Sequence, residues 1–498
     1  MPPSRLRLFR PFAHVAVLVV ACGHASPPRA GAPQRAPRAD APAEEPPIEE
    51  ARLEDERIAD AVRGELAVDP AVDPSRLSVE VADGVVELRG EVPHLLMADA
   101  AVERAEMVHG VRAVLDLTEL PRTTRPDGVV RAQVEEALRA GEAPPDELVV
   151  RVVDGVVTLR GSATSFAEKR LAERIARTVR GVREVVNQIE VRHVERDDAE
   201  ILADVRAALR ADRWVDEWLL TPEVDEGVVS LRGVQPTAAA KRRAIDAAWV
   251  EGVRAVDATL VEVEPELPPA LRRPPAGHRY PDDAEIVRSI RTAIARDPRV
   301  AGAQVEASSQ DGIVTLTGTV RSLAAREAAA ETAETISGVW RVDNRLEVRA
   351  RPAPTDAEIA REAERAIARA AAIDEDAVTV EVSRGVVTLL GSVATPYARI
   401  VAEEVIGRIP GVRGLDNRIE APERAAPPLG DAELLQNVIA HLEAHPYVDR
   451  DRIQVTVANG EVMLRGQVED WRAAREAVRA AYEAGATNVL DDIEVVQP

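Results

Sequence analysis

The chain of 498 residues contains a single cysteine, Cys22, and only 2% aromatic residues. One cysteine excludes an intramolecular disulfide and a cysteine-rich metal site. Because aromatic residues are scarce while apolar residues make up 46% of the chain, the cores must be built from Val, Leu, Ile and Ala. A chain of this length divides into several domains. Small domains suit this supply of side chains better than one large enzyme core.

Basic residues are outnumbered by acidic residues outside the N-terminus. The formal net charge is -23, and residues 1–40 carry six arginines against one acidic residue, Asp40, which leaves the remainder near -28. Proteins that bind nucleic acid need a basic footprint to neutralise phosphates. We therefore expect no nucleic-acid partner.

The N-terminus has the pattern of an export signal over residues 1–22. Three arginines precede an apolar stretch at 12–21, which is too short to span a bilayer. The stretch ends in Val-Val-Ala-Cys, which resembles a bacterial lipobox and implies lipid attachment to Cys22. The alternative is an ordinary signal or an uncleaved anchor with an incidental cysteine. Gly23 stands where an Asp would suggest retention at the inner membrane, so the resemblance to lipoproteins favours the outer membrane.

Residues 23–52 are dominated by Pro and Ala and carry few large apolar side chains. Such a segment cannot bury enough surface to offset the entropy lost on ordering. We expect a disordered tether between the anchor and the first domain.

Beyond the tether the sequence repeats. A string of the form Asp-Gly-Val-Val-x-Leu-Arg-Gly recurs six times with small variations, and its first glycines lie 71 to 85 residues apart. A second glycine follows each string after 19 or 20 residues. The first glycines are Gly84, Gly155, Gly227, Gly312, Gly385 and Gly460.

Each string predicts a β-hairpin with Gly at a structural turn position. In the second copy, β-branched runs at 148–153 and 156–160 flank Asp154 and Gly155. Asp-Gly supplies the positive φ angles of a type I′ turn. Val157 and Leu159 then share the core face of the strand, because successive side chains alternate between faces.

Amphipathic helices are predicted on both sides of the hairpin. Ile58, Val62 and Leu66 recur at i, i+4 and i+8 upstream of the first hairpin, and an Ala-rich stretch follows each hairpin. That stretch is expected to end at the second glycine as a left-handed C-cap. A final strand, such as 185–191, completes the order helix, strand, strand, helix, strand.

This pattern, with a terminal Asn-x-Ile-x-Val at 187–191, resembles the BON domain family of bacterial osmotic-shock, nodulation and envelope proteins. The resemblance implies an α+β fold of six αββαβ modules, each a three-stranded sheet with two helices, arranged as beads on linkers. It also implies attachment to phospholipid surfaces. Modules 1 to 6 are expected at 53–121, 126–194, 197–264, 282–349, 355–422 and 430–497.

The third copy departs most from the pattern. Trp214, Trp218 and Pro222 precede its hairpin, and Gln235-Pro236 stands where its second helix should begin. Residues 265–281 contain six prolines, so we expect three modules, a stiff spacer and three more modules.

Catalytic and metal-binding motifs are not apparent. The glycine strings run from a turn into a strand, whereas phosphate loops run into a helix N-terminus. His441 and His445 are spaced i, i+4 on a predicted helix, as in the zinc motif H-E-x-x-H. The glutamate between them is one position too late for that motif. We therefore favour exposed histidines on the helix surface over a metal site. We expect no enzyme activity, no metal and no cofactor.

The favoured function is an exported, multivalent binding protein that contacts phospholipid or envelope proteins, and the alternative is a passive spacer. The sequence leaves the oligomeric state open. The most basic stretch is the second helix of module 2, and we expect its side chains as candidate lipid contacts: Lys169, Arg170, Arg174, Arg177 and Arg180.

Overall fold

A computed structural model describes residues 48–498 except 122–124, 141–145, 193, seven positions between 266 and 277, 422–429, 446–447, 459, 469–470, 487 and 496–498. The expected signal peptide, Cys22 and residues 23–47 of the tether lie outside the described residues. The tether was predicted to extend to residue 52. Helix α1 already begins at Ile48, so the tether ends earlier than predicted.

Every module contains the predicted five elements. The first helices are α1 (Ile48–Val68), α3 (Asp127–Ala140), α5 (Asp198–Ala211), α7 (Asp283–Arg296), α9 (Asp356–Arg369) and α11 (Asp431–Ala444). The second helices are α2 (Leu95–Met107), α4 (Phe166–Arg177), α6 (Ala238–Ala248), α8 (Leu323–Glu334), α10 (Pro396–Gly407) and α12 (Trp471–Glu483). Each second helix connects the second strand of its module to the third.

The strands follow the same plan. The hairpin strands are β1 (Leu77–Ala82) and β2 (Val85–Glu91), β4 (Asp146–Val153) and β5 (Val156–Ala163), β7 (Leu220–Asp225) and β8 (Val228–Gln235), β10 (Gln304–Gln310) and β11 (Ile313–Val320), β13 (Val378–Ser383) and β14 (Val386–Ser392), and β16 (Ile453–Ala458) and β17 (Glu461–Val468). The third strands are β3 (Ala113–Glu119), β6 (Glu184–Val191), β9 (Ala255–Val263), β12 (Arg341–Val348), β15 (Gly414–Glu420) and β18 (Asn488–Val495).

Each module forms its own three-stranded sheet with the second strand in the middle. The first strand pairs antiparallel with it across the hairpin, and the third pairs parallel to it. A parallel neighbour requires a crossover, which the second helix provides. Both helices lie on one face of the sheet, so the other face, here called the outward face, is left without a helix.

The predicted core of each module is confirmed. Val157 and Leu159 are fully buried with Val134 of α3 and Ala176 of α4, while Arg160 on the alternate face is exposed. The upstream positions Ile58, Val62 and Leu66 are also buried. Alanines on the second helix allow it to lie close to the sheet, which explains how a chain with few aromatic residues fills its cores.

The modules do not form separate beads. Residues 48–498 make one compact unit, and the buried side chains of modules 4 and 5 merge into a single cluster. Leu95 of module 1 is likewise buried in the core cluster of module 2. The expected arrangement as beads on linkers is therefore wrong for the described residues.

Backbone pairs join separate modules, two of which are not neighbours in sequence. Arg180 N donates to Arg369 O at 2.9 Å and Ala371 N donates to Thr178 O at 3.0 Å, which links module 2 to module 5. Modules 3 and 4 are linked in the same way by Arg213 N to Thr335 O at 2.9 Å and Ser337 N to Ala211 O at 2.8 Å. In both cases a segment after a second helix meets a segment after a first helix. Backbone groups at helix ends lack intrahelical partners, and these contacts satisfy them.

Residues 265–281 do not act as a stiff spacer that separates two halves. Trp218 Nε1 of module 3 donates to Leu271 O at 3.1 Å, and the Trp218 ring meets His278 edge-on at 5.6 Å. Leu267 is buried. Trp218, one of the residues that make module 3 divergent, thus binds the described part of this segment to the module surface.

Candidate binding surfaces

The six predicted turn glycines have the expected left-handed backbone, with φ between 73° and 76°. Asp154, before Gly155, also has a positive φ of 51°. Two consecutive positive φ angles confirm the type I′ hairpin. A Cβ on Gly155 would lie 2.8 Å from the carbonyl oxygen of Gly181, so glycine is required here by space as well as by φ.

An aspartate of each first helix, the first residue of the helix in modules 2 to 6 and an interior residue of α1 in module 1, holds the hairpin turn. Asp127 Oδ2 accepts from Asp154 N at 3.0 Å and Asp127 Oδ1 accepts from Gly155 N at 3.1 Å. Equivalent bonds are made to the described turn residues of the other modules by Asp55, Asp198, Asp283, Asp356 and Asp431. This clamp was not predicted from the sequence. Its signal is an Asp placed 28 or 29 residues before each turn glycine.

The second glycine has a different role from the expected C-cap. Helix α4 ends at Arg177 with Thr178 as its C-cap, so Gly181 lies beyond the end of the helix. Arg183 N, two residues further on, donates to Gly155 O at 2.9 Å. The second glycine therefore belongs to a loop that packs against the hairpin turn.

Helix α4, which carries the candidate lipid contacts, also contacts neighbouring modules. Arg177 makes a bidentate contact with Asp99 of module 1, with Nε at 2.8 Å from Oδ2. Burial opposes ionisation of Arg177, but the hydrogen bond and charge of Asp99 outweigh it and raise the pKa of Arg177. Arg170 forms an ion pair with Asp246 of module 3.

The remaining basic residues of this stretch are partly engaged as well. Arg180 Nε donates to Ala370 O of module 5 at 3.3 Å. At Lys169 the contact is made by the backbone carbonyl, which accepts from Asn187 Nδ2 at 2.8 Å and does not involve the ammonium group. Arg174 keeps an exposed surface, yet protein surrounds it closely enough that burial, with the nearby Arg299, lowers the pKa of Arg174. Lipid contact by this helix stays a prediction, and it would require the ion pairs of Arg170 and Arg177 to break.

The contact between modules 2 and 3 also has an aromatic component. Phe166, the first residue of α4, stacks on Trp249 with ring centroids 4.0 Å apart and an interplanar angle of 12°. In a chain with so few aromatic residues, this stack is a specific contact between two modules.

The two helical histidines lie in contacts rather than on the exposed surface that was expected. His441 Nδ1 of module 6 lies 3.0 Å from Glu65 Oε1 of module 1, and His445 Nε2 lies 3.2 Å from Glu476 Oε2. Their side chains are only 13% and 14% exposed. Within the described residues, no group of three or more His, Cys, Asp and Glu side chains is placed to hold a metal ion.

The outward sheet faces differ between modules. On module 2, Val149 and Val153 are 60% and 49% exposed and flank the exposed Arg151, and Arg160 lies opposite Val149. The equivalent positions on module 3 are Thr221, Glu223 and Asp225. On module 2, β4 and β5 thus form a basic strip with exposed valines, beside which Glu184 and Glu190 of β6 lie on the same face. The equivalent strip on module 3 is acidic and polar.

No helix among the residues that the structure describes combines the length and apolar character needed to cross a bilayer. The molecule is thus a tandem array of small αββαβ modules with contacts between them. The BON domain family matches residues 54–120, 126–193, 197–265, 282–350, 355–422 and 430–497. These segments cover most of the chain, and it belongs to the BON domain family.

Two known proteins illustrate this relationship. Osmotically-inducible protein Y of Escherichia coli (strain K12) is 30% identical over 139 residues, which are 26% of this chain and 69% of that protein. The C-terminal domain of CdsD, a structural protein of the type III secretion system of Chlamydia trachomatis, matches with 15% identity over 43% of this chain and all of that domain. The TM-score of 0.12 is too low to support any inference from that match.

Proposed function

We propose that this chain is a non-enzymatic protein of the bacterial envelope, held at the outer membrane by a lipid on Cys22, whose modules together bind phospholipid surfaces or envelope proteins. Membership of the BON family and likeness to an osmotically inducible protein support an envelope role. Arginines, an apolar stretch and the sole cysteine at the end of that stretch support lipidation.

Lipidation has a direct test. In a bacterial host, labelled palmitate should enter the wild-type protein and be absent from Cys22→Ala. Label in the variant, or in neither protein, would contradict the proposed anchor.

The observation that carries the binding proposal is the outward face of module 2. Over 149–153 and 156–160, the charged side chains on that face are Arg151 and Arg160, and Glu184 and Glu190 lie beside them on β6. The basic strip on β4 and β5 is the proposed contact. Exposed valines beside the two arginines add apolar surface. Basic residues near an anionic membrane contribute about 1 kcal/mol each, so two arginines correspond to roughly a 30-fold change in affinity. This attraction also weakens as salt screens the charges.

The acidic chain as a whole would be repelled by the same membrane. Module 3 shows the difference locally, because Glu223 and Asp225 occupy the positions of Arg151 and Val153. A local basic face can therefore orient the molecule, with module 2 toward the membrane.

Flotation of residues 23–498, which lack the lipid, with vesicles containing phosphatidylglycerol tests this proposal. Wild type should float at low salt, and Arg151→Glu with Arg160→Glu should not. The matched control is Arg232→Glu on the outward face of module 3, which should float like wild type.

Equal flotation of wild type and the double variant would reject this face as the membrane contact. If wild type fails to float with anionic vesicles, the membrane proposal is wrong, and the chain is better explained as a passive spacer whose modules only set a distance.

A further inference from the structure

A large cleft lies where modules 2, 3 and 4 meet. Its volume is about 770 Å³, and its walls include helix α5 of module 3 and helix α7 of module 4. Ligand pockets typically have volumes of about 300 to 1,000 Å³. The cleft exists only because the modules pack together, so it would be absent from any isolated module.

Part of the wall is apolar and built from small side chains. Ala207 and Ala211 of α5 face the cleft together with Ala293 of α7. Trp249 also lines it, and its ring is held in place by the stack on Phe166. Small side chains beside a fixed indole leave room for the apolar part of a ligand.

The carboxylates of the wall are largely neutralised. Each of four has an arginine within ion-pair distance: Asp204 with Arg196, Asp212 with Arg243, Asp246 with Arg170, and Glu285 with Arg279. A fifth carboxylate, Glu217, lies 3.6 Å from His278 Nδ1, and burial raises the pKa of Glu217 while the charge of Arg210 opposes that rise. Four of the five wall carboxylates are therefore paired with an arginine.

Two arginines on opposite helices are less closely paired. The guanidinium of Arg210 of α5 lines the cleft without a hydrogen bond or ion pair to the described residues, although its charge acts on Glu217. Arg288 of α7 lines the cleft too, and its ion pair with Glu285 is long at 3.9 Å, whereas Arg279 lies 2.5 Å from the same carboxylate. Guanidinium groups bind carboxylate and phosphate oxygens through charge-assisted hydrogen bonds.

We propose that this cleft binds an amphipathic organic anion, with its phosphate or carboxylate at Arg210 and Arg288 and its apolar part against the alanines and Trp249. The site goes beyond the proposed membrane contact, because it lies at a module junction and not on an outward sheet face.

Calorimetric titration of residues 23–498 with octyl phosphate tests the proposal. One saturable site per chain is expected, and binding should be at least tenfold weaker in Arg210→Gln with Arg288→Gln. Both side chains are exposed, so the fold should persist. Arg206→Gln is the matched control, since Arg206 is an exposed arginine of α5 outside the cleft wall, and should bind like wild type.

Two further probes separate the two parts of the ligand. Inorganic phosphate and 1-octanol should each bind at least tenfold more weakly than octyl phosphate. Ala207→Leu, which fills the apolar wall and leaves the arginines unchanged, should also weaken octyl phosphate binding.

The proposal is overturned if octyl phosphate gives no saturable binding, or if the double variant binds as tightly as wild type. Equal affinity for inorganic phosphate would show a simple anion site, and equal affinity for octanol would show an apolar crevice. Either result contradicts an amphipathic site.

Discussion

Modules 2 and 3 share a fold but differ in what their surfaces do. Both have an Asp clamp on the hairpin turn and the same sheet order. Helix α4 of module 2 contacts module 1 through Arg177 and module 3 through Arg170, whereas module 3 uses Trp218 to hold the segment after it. The residues that form the fold are therefore repeated, and the residues that form the assembly are specific to each module.

The start of the second helix shows the same principle. Gln235 of module 3 is fully buried, accepts from Asp216 N at 3.3 Å and donates to Asp216 O at 3.1 Å. Thr237 then caps α6. The Gln-Pro pair that interrupts the sequence pattern thus preserves the fold by another set of hydrogen bonds.

The largest effect should come from filling the hairpin turn. Gly155→Val should destabilise module 2 by more than about 1 kcal/mol, because valine is strained at positive φ and its Cβ would press on Gly181 O. Gly227→Val should destabilise module 3 by less, because a Cβ on Gly227 would lie 3.1 Å from Gly252 O. Amide hydrogen exchange of the whole chain would measure both. Unchanged exchange in module 2 would contradict the turn geometry.

Local patterns predicted the modules well. The alternation around Val157 and the spacing of Ile58, Val62 and Leu66 depend on periodicities of two and 3.6 residues, which act within one element. The contacts of Arg177 and Arg180 could not be predicted, because they join positions separated by 78 and about 190 residues. A run of arginines on a helix has the same pattern whether it faces lipid, water or another module.

The candidate sites were less predictable than the fold. The cleft near Arg210 combines side chains from three modules, and no motif in one module indicates it. The Asp clamp could have been found, because Asp127 and its counterparts recur at a nearly constant distance from the turn glycine. A single helix N-terminal Asp, however, is ordinarily interpreted as a favourable helix-end charge.

Removing the Asp clamp should have a smaller effect than filling the turn, and the effect should be the same in modules 2 and 3. Asp127→Ala and Asp198→Ala each remove the acceptor of two turn amides. Each variant should lower the free energy of unfolding of its module by about 1 kcal/mol. Faster exchange at Gly155 and Gly227 is the measurement. A loss confined to one module would show that the clamp is not a shared element of the fold.

The smallest effect concerns ion pairs. A double-mutant cycle on Arg177 and Asp99 should give a coupling of about 1 kcal/mol, because Arg177 is only 22% exposed although Asp99 keeps 38%. The pair between Arg232 and Glu223 on module 3 is more than half exposed at both ends and should give no more than about 0.5 kcal/mol. Equal couplings would mean that the contact between modules 1 and 2 contributes nothing beyond an ordinary surface pair.

The central claim is that modules distant in sequence pack together, and cysteine cross-linking tests it most directly. Val179 of module 2 and Ala370 of module 5 face each other in an antiparallel backbone bridge, where Cα atoms are about 4.5 to 5.5 Å apart and within disulfide range. In a Cys22→Ala chain, Val179→Cys with Ala370→Cys should form an intramolecular disulfide rapidly under mild oxidation. Val179→Cys with Glu381→Cys, which places the second thiol on the outward face of module 5, should not. Equal rates of disulfide formation in the two chains would contradict the packed arrangement.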